Sequence, residues 1–119
     1  MIEVIPTGLS DRTIGFRVAG RVDQDDMKSA AAAFESRLAR HARLRVYVEI
    51  EDLKGMTPGA LLEDLRMALG HFRDVEREAV VADAVWVGWL ARAGNLLPGI
   101  EVRHFPRTER VQALAWIDA

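Results

Sequence analysis

The stretch Arg77-Glu78-Ala79-Val80-Val81-Ala82-Asp83 decides the fold, and a segment with almost no charge follows it as far as Ile100. Its apolar run is typical of a parallel strand that is buried on both faces of a sheet. The segment that follows predicts an unusually apolar helix. A parallel strand that leads into a helix belongs to an open α/β sheet, and in a doubly wound sheet ligands bind outside the carboxyl ends of the strands. The sequence thus locates a candidate site, but no catalytic motif accompanies it to name a chemistry.

Strand patterns alternate with helix patterns along the rest of the chain, which is typical of the α/β class. Two short β-type runs, Ile2–Ile5 and Thr13–Ala19, flank a polar segment with a glycine, so we expect an antiparallel pair at the amino-terminal edge. Gly20 is expected to end the second run. Three further strands are predicted, at Leu44–Ile50, Glu78–Ala82 and Glu101–Phe105.

Four helices are predicted between and after these strands. Asp23 is expected to cap the first helix, and Thr57 the second, where Pro58 suits the first helical position because it lacks an amide hydrogen. The third helix is predicted over Trp86–Leu97, and the last over about residues 108–117 with Val111, Leu114 and Ala115 facing the core. The predicted core residues of the whole domain are Phe34, Leu65, Val80, Val81 and Leu114.

The length of 119 residues, half of them hydrophobic, predicts one domain over residues 1–119 with one core. The expected order of elements in this domain is β-β-α-β-α-β-α-β-α, with a five-stranded mixed sheet.

Cysteine is absent, which excludes a disulfide framework, a thiol nucleophile and thiolate metal sites. Sixteen basic and eighteen acidic residues leave a net charge of −2, which gives no field that attracts nucleic acid.

The amino-terminal residues lack the pattern of a secretory signal, and no uncharged run is long enough to span a bilayer. We therefore expect a cytoplasmic protein with no integral membrane segment.

Three groups of short motifs resemble a known family. They are Gly20-Arg21-Val22-Asp23 before the first helix, Glu76–Asp83 at the fourth strand, and Val102–Phe105 with Ala113–Ile117 at the end. Their order and spacing resemble the SpoIIAA-like branch of the STAS fold over nearly the whole chain. The resemblance implies a small cytoplasmic bacterial domain, related in fold to CRAL-TRIO lipid-binding domains, with no enzymatic role established for most members.

The best-known STAS proteins are anti-sigma-factor antagonists, which are switched by phosphorylation of a serine at the start of the helix after the third strand. The matching region here, Asp52–Leu62, contains no serine, and Thr57 is its only hydroxyl. A phosphate on Thr57 would meet the amide groups of the helix N-terminus. An ordinary N-cap also explains this residue, and we favour that interpretation.

Other polar residues give weak signals for chemistry. His41, His71 and His104 are far apart and lack metal-ligand spacing, so neither a metal nor a cofactor is expected. Asp52 and Asp83 follow strands and either form a carboxylate pair near a pocket or solvate loops and cap helices. The serines do not lie on strand-to-helix elbows, and no enzyme activity is predicted. The basic cluster is interpreted as a solvated helix end, and its members are Arg37, Arg40, His41, Arg43 and Arg45.

The third helix is the predicted functional element, because apolar residues surround it on all sides. Val85, Val87 and Ala91 are expected near the side opposite the candidate binding residues. Neighbouring helices bury the surplus surface, or it forms a homodimer or protein-partner interface, or it is the mobile wall of a site for a small hydrophobic ligand. The candidate binding residues share one side of the helix and are Trp86, Trp89, Leu90, Ala93 and Leu97.

Two functions follow from these features. The first is a non-enzymatic regulatory or binding domain that acts through the third helix. The alternative is a phospho-regulated antagonist switched at Thr57.

Overall fold

Five strands form one mixed sheet whose spatial order is the same as their order in the chain. The first strand is antiparallel to the second, and the remaining neighbours are parallel. This arrangement confirms the predicted α/β fold with an antiparallel amino-terminal edge. The strands are β1 (Ile2–Ile5), β2 (Thr13–Val22), β3 (Leu44–Met56), β4 (Val75–Val81) and β5 (Glu101–Phe105).

Four α-helices connect or follow these strands: α1 (Gln24–Leu38), α2 (Pro58–His71), α3 (Val85–Gly94) and α4 (Arg110–Asp118). Short 3₁₀ helices precede β4 and α4. This computed structural model describes the backbone of all 119 residues. It describes all side chains except those of Leu61, Leu65, Ala68, Leu69, Phe72, Trp86, Trp89 and Leu90.

The crossover helices α1, α2 and α3 cover the same face of the sheet. Connections between parallel strands are right-handed, so strands that are added in sequence in one direction place every crossover helix on one side. Phe34 of α1 packs on Ile14 and Leu44 of this face. The sheet therefore has no point where the strand order reverses. The switch-point crevice in which doubly wound sheets bind ligands therefore does not form.

Helix α4 covers the opposite face. Ala113 and Ile117 pack against Tyr47, Ala79 and Val81, which alternate with the residues that face the other helices. The predicted register of this helix is wrong, because Val111 is 77% exposed and Ala115 is exposed as well, while Leu114 is only partly buried. The cause is the 3₁₀ turn Arg107–Glu109, which delays the start of α4 and rotates its buried face.

A buried arginine holds the end of α4 against the sheet. Arg45 donates hydrogen bonds to the carbonyl oxygens of Ile117 and Ala119 at 2.7 and 2.6 Å, and it pairs with Glu76 at 3.4 Å. These carbonyls have no partner within the helix, so the guanidinium takes the place of a C-terminal cap. Arg45 thus belongs to the core and not to a solvated basic face.

The predicted starts of α1 and α2 are confirmed. The Asp23 side chain accepts a hydrogen bond from the amide of Asp26 at 2.8 Å, and the Asp26 side chain accepts one from the amide of Asp23 at 3.0 Å, which forms a capping box. Thr57 Oγ1 accepts from the amide of Ala60 at 3.1 Å, with Pro58 at the first position of α2.

Several predicted strand and helix ends are wrong. The positive φ of Gly20 forms a bulge and does not end β2, which stays paired with β3 as far as Val22. Strand β3 continues beyond Ile50, with Asp52 also at positive φ, and β4 begins at Val75. Helix α3 ends at Gly94, three residues before the predicted end.

The predicted core is confirmed at Phe34 and Val81, which are 3% and 2% exposed. Val80 is only partly buried. The predicted burial of Leu65 lies outside the described side chains.

The register of α4 can be tested with two alanine substitutions on that helix. Ile117→Ala should lower the free energy of unfolding by about 2–5 kcal/mol, because it leaves a cavity against the sheet. Val111→Ala is the matched control and should change the free energy by no more than about 0.5 kcal/mol. Chemical denaturation measures both, and equal losses would contradict the observed register.

Candidate functional site

A cavity of about 460 Å³ lies between the sheet and helices α1, α2 and α3. Small-molecule sites typically have volumes of about 300–1,000 Å³, so the cavity has the size of a ligand site. Its floor is formed by side chains of β2, β3 and β4 that point to this face. The described floor residues include Phe16, Val18, Val46, Val48, Ile50 and Val80, and the helices contribute Met27, Ala30, Phe34, Met67, Val87 and Ala91.

The three helices above the cavity pack against different neighbours. Helix α3 packs closely on β5, since a Cβ atom added at Gly94 would lie 3.0 Å from Val102 and one at Gly88 would lie 3.1 Å from His104. The backbone of α2 packs beside α1. The cavity lies above the central strands, and Val80 is part of its floor.

Glu78 brings a carboxyl group into this apolar space. It lies in the middle of β4, and its neighbours Ala79 and Val81 face α4, so the alternation of the strand directs Glu78 to the cavity side. Loss of hydration raises the pKa of Glu78 from its ordinary 4.5 to about 7, and the negative charge of Asp64 contributes to the same shift. The structure gives Glu78 no hydrogen bond or salt bridge with the described side chains.

Asp64 of α2 is the second carboxyl group that lines the cavity. Loss of hydration raises its pKa as well. Asp64 is nevertheless an exposed residue, and Glu78 is partly buried. Both carboxyl groups line the same cavity, and the charge of Asp64 contributes to the raised pKa of Glu78.

His71 stands at the edge of the same cavity, at the end of α2. Its Nδ1 lies 2.9 Å from Asp74 and its Nε2 lies 3.2 Å from Glu35, and its ring meets Phe34 edge to face at 5.3 Å. The hydrogen bond with Asp74 is the main cause of its raised pKa. Because Asp74 and Glu35 take both ring nitrogens, His71 is not available to neutralise Glu78.

The residues of α3 that the sequence pointed to are only partly placed at the cavity. Leu97, beyond the end of the helix, lines it, whereas Ala93 is exposed. The side chains of Trp86, Trp89 and Leu90 lie outside the described residues. Val87 and Ala91, expected near the opposite side, are buried and line the cavity, while Val85 is 73% exposed.

Asp52, Thr57 and Asp83 are not among the described cavity residues. Asp52 is exposed, and Asp83 accepts a hydrogen bond from the amide of Arg107 at 2.9 Å. Asp83 belongs to a separate polar depression on the α4 side, and Asp52 is not among its described residues. Thr57 caps α2, as the ordinary interpretation predicted.

Two arginines of the polar depression pair with two of its three carboxylates. Arg110 pairs with Glu49, which also accepts a hydrogen bond from the Tyr47 hydroxyl at 2.6 Å. Burial raises the pKa of Tyr47 to about 12, so the hydroxyl stays a donor. Arg107 pairs with Glu51 at 3.3 Å. These contacts fix the start of α4 to β3.

The basic cluster and the remaining histidines have structural partners. Arg40 and His41 bind Asp11. The hydrogen bond with Arg40 is the main cause, and the one with His41 the second, that the pKa of the Asp11 carboxyl lies well below its usual range. Arg43 donates to backbone carbonyls, one of them that of Val75 at 2.9 Å. His104 contacts the carbonyl of Ala82. The described residues include no group of three side chains that could hold a metal ion.

Sequence reasoning missed Glu78 and Asp64. A signal for each was present: Glu78 is a charge within a run otherwise typical of a fully buried strand, and it was placed at the strand's start. Asp64 follows Leu61 by three residues and precedes Ala68 by four, so helical spacing places it on the same face of α2 as these two apolar residues.

The fold is a singly wound α/β domain with a cavity under its three crossover helices. Comparison with known proteins gives the family of this domain. The sequence model of the SpoIIAA-like family matches residues 13–118, so the chain belongs to the SpoIIAA-like family. A search of curated proteins finds no match. No described helix is both long and apolar enough to cross a membrane.

Solved structures with the same fold include an uncharacterised protein of the DUF3478 family from Shewanella loihica PV-4. It is 24% identical, with a TM-score of 0.76, over 98% of this chain and 92% of that one. The anti-sigma factor antagonist SpoIIAA in its unphosphorylated form is 13% identical, with a TM-score of 0.65, over 97% and 98% of the two chains. The Bacillus cell fate determinant SpoIIAA in its phosphorylated form is 14% identical, with a TM-score of 0.57, over 94% and 97%.

The environment of Glu78 predicts an unusual pH dependence of stability. The folded state holds this proton up to about pH 7, whereas the unfolded state releases it near pH 4.5, so stability falls as the pH rises between these values. Glu78→Gln removes the penalty and should raise the free energy of unfolding above pH 7 by about 1–3 kcal/mol, with the gain shrinking toward pH 4.5.

Denaturation at several pH values measures this difference. Glu101→Gln is the control, because Glu101 is an exposed residue of the neighbouring strand. A constant difference between wild type and Glu78→Gln at all pH values would contradict the environment assigned to Glu78.

Proposed function

We propose that this protein is a non-enzymatic binding domain that holds a small, mostly apolar ligand in the cavity beneath α1, α2 and α3. The cavity itself carries the proposal. Its volume of about 460 Å³ and its mostly apolar described lining are those of a small-molecule site. A ligand that fills the space removes this apolar surface from water, which is favourable.

The described cavity lining supports binding more than catalysis. Its only polar side chains are Asp64, His71 and Glu78. None of the described lining residues carries a hydroxyl or thiol that could serve as a nucleophile. An apolar wall with a few convergent polar groups is the usual composition of a small-molecule site.

Helix α3 has the properties of a wall that opens. Ala84 gives it no side-chain N-cap, and Gly88 lowers its intrinsic helix propensity. A helix with a weak start and a low intrinsic propensity opens at a lower free-energy cost, and opening of α3 would admit a ligand. Val85 and Leu96, at the two ends of the helix, are exposed, so a second copy or a protein partner at this helix stays a prediction beside the ligand.

Regulation through such a site agrees with the family. A ligand that binds one position of α3 more tightly than another shifts the helix toward that position. Such a shift would change the surface that the domain presents to a partner. We therefore place the protein among regulatory domains, with the ligand as its input.

Binding can be measured with octanol, octylamine and octanoate, which share one apolar chain and differ in the head group. At least one should bind saturably with one molecule per protein in isothermal titration calorimetry. Val80→Phe should abolish that binding, because the ring occupies the cavity floor. Val111→Phe, on the exposed side of α4, should bind as wild type does.

Thermal denaturation of the Val80→Phe variant establishes that it is folded. If it is not, Ala30→Phe on α1 fills the same cavity from the opposite wall. Absence of saturable binding of all three compounds to the wild type would overturn the proposed function, as would unchanged binding to a folded cavity-filling variant.

The alternative function is a phospho-switch at Thr57. It is favoured by the position of this hydroxyl at the N-terminus of α2, where a phosphate would meet backbone amides and the positive end of the helix dipole. Incubation with protein kinases, followed by mass spectrometry, separates the two functions. We expect Thr57 to remain unmodified, and stoichiometric phosphate on it would favour the alternative.

A further inference from the structure

We propose that the ligand carries a positively charged amine on its apolar body, and that Glu78 and Asp64 receive this group. The inference rests on the proposed function and names the chemical class of its ligand. It follows from the one feature of the cavity that an apolar ligand alone does not explain, which is a pair of carboxyl groups on opposite walls.

A carboxylate with a structural role on an interior strand would have a hydrogen-bond or ion-pair partner. Glu78 has none among the described side chains. It lies on the interior strand β4, level with Val46 of β3 and Val102 of β5. Both neighbours are apolar. An ionised carboxylate removed from water is costly unless it is paired or hydrogen-bonded. The cavity in front of Glu78 is the direction from which a partner can come.

Asp64 faces the same space from α2. The two groups interact electrostatically, since the charge of Asp64 contributes to the raised pKa of Glu78. Two carboxylates in an apolar site favour a cation between them, because a single positive charge relieves both the lost hydration and the mutual repulsion.

The described residues of the protein supply no positive charge that is free to pair with Glu78 and Asp64 in this cavity. His71 is held by Asp74 and Glu35 at the edge. Arg77, which precedes Glu78, donates to the carbonyl of Trp116 at 2.9 Å on the α4 side. Among the described residues that line the cavity, the titratable groups are Asp64, His71 and Glu78. The balancing charge therefore comes with the ligand.

Other head groups fit less well. A hydroxyl donates one hydrogen bond but does not neutralise charge. A carboxylate adds a further negative charge to the two already there. An ammonium group donates three charge-assisted hydrogen bonds, which are about twice as strong as neutral ones. The expected order of affinity is amine, then alcohol, then carboxylate.

Isothermal titration calorimetry at pH 8 with octylamine, octanol and octanoate tests this order. Octylamine should bind at least about tenfold more tightly than octanol, the change that one charge-assisted contact brings. In Glu78→Gln the preference should fall to about threefold or less, and Asp64→Asn should also reduce it. Glu101→Gln, an exposed change of the same kind on β5, should keep the full preference. At pH 5, where Glu78 is protonated, the wild type should lose most of it.

The outcomes separate this inference from the proposed function. If octanol or octanoate binds as tightly as octylamine, the cavity is a ligand site and the assigned head group is wrong. If the folded Glu78→Gln variant keeps the full preference for octylamine, Glu78 is not the receiving group and the inference fails. If none of the three compounds binds, the proposed function itself is overturned.

Discussion

Right-handed crossovers between neighbouring parallel strands are the constraint on which the rest of this structure depends. Because the strands are added in order across the sheet, the constraint places α1, α2 and α3 on one face and leaves the other to α4. The first face must then be covered by three helices of different sequence. Helix α3 packs closely on β5, and α2 packs beside α1. Between these helices and the central strands lies the cavity.

The alternation of β4 divides its side chains between these two environments. Ala79 and Val81 complete the dense layer under α4, while Glu78 and Val80 open into the cavity. A register shift of one residue would exchange these sets and bury the carboxylate under α4. The position of Glu78 and the floor of the cavity thus depend on the register of the same strand. The pKa of Glu78 therefore reports on that register and on the cavity together.

The order of elements could be predicted from the sequence because the strand runs are long and the Asp23 and Thr57–Pro58 signals are local. The register of α4 could not, since nothing in the sequence marks the 3₁₀ turn before Arg110. The buried side of α3 was hidden because a helix that is apolar all round has no periodicity to interpret. The cavity depends on how three helices are arranged over the sheet, a tertiary feature that sequence patterns do not contain. The charge of Glu78 was visible in the sequence, but it was interpreted as marking the start of a strand.

The carboxyl carbon of Glu78 gives the most direct test of this account. A ¹³C NMR titration of the ligand-free protein should show a pKa of about 7 for this group, because the cavity withholds water and Asp64 repels its charge. The midpoint should move downward when octylamine is added, since a cation stabilises the ionised form. A pKa near 4.5 in the free protein, the ordinary value of a hydrated glutamate, would contradict the cavity environment and the ligand assigned to it.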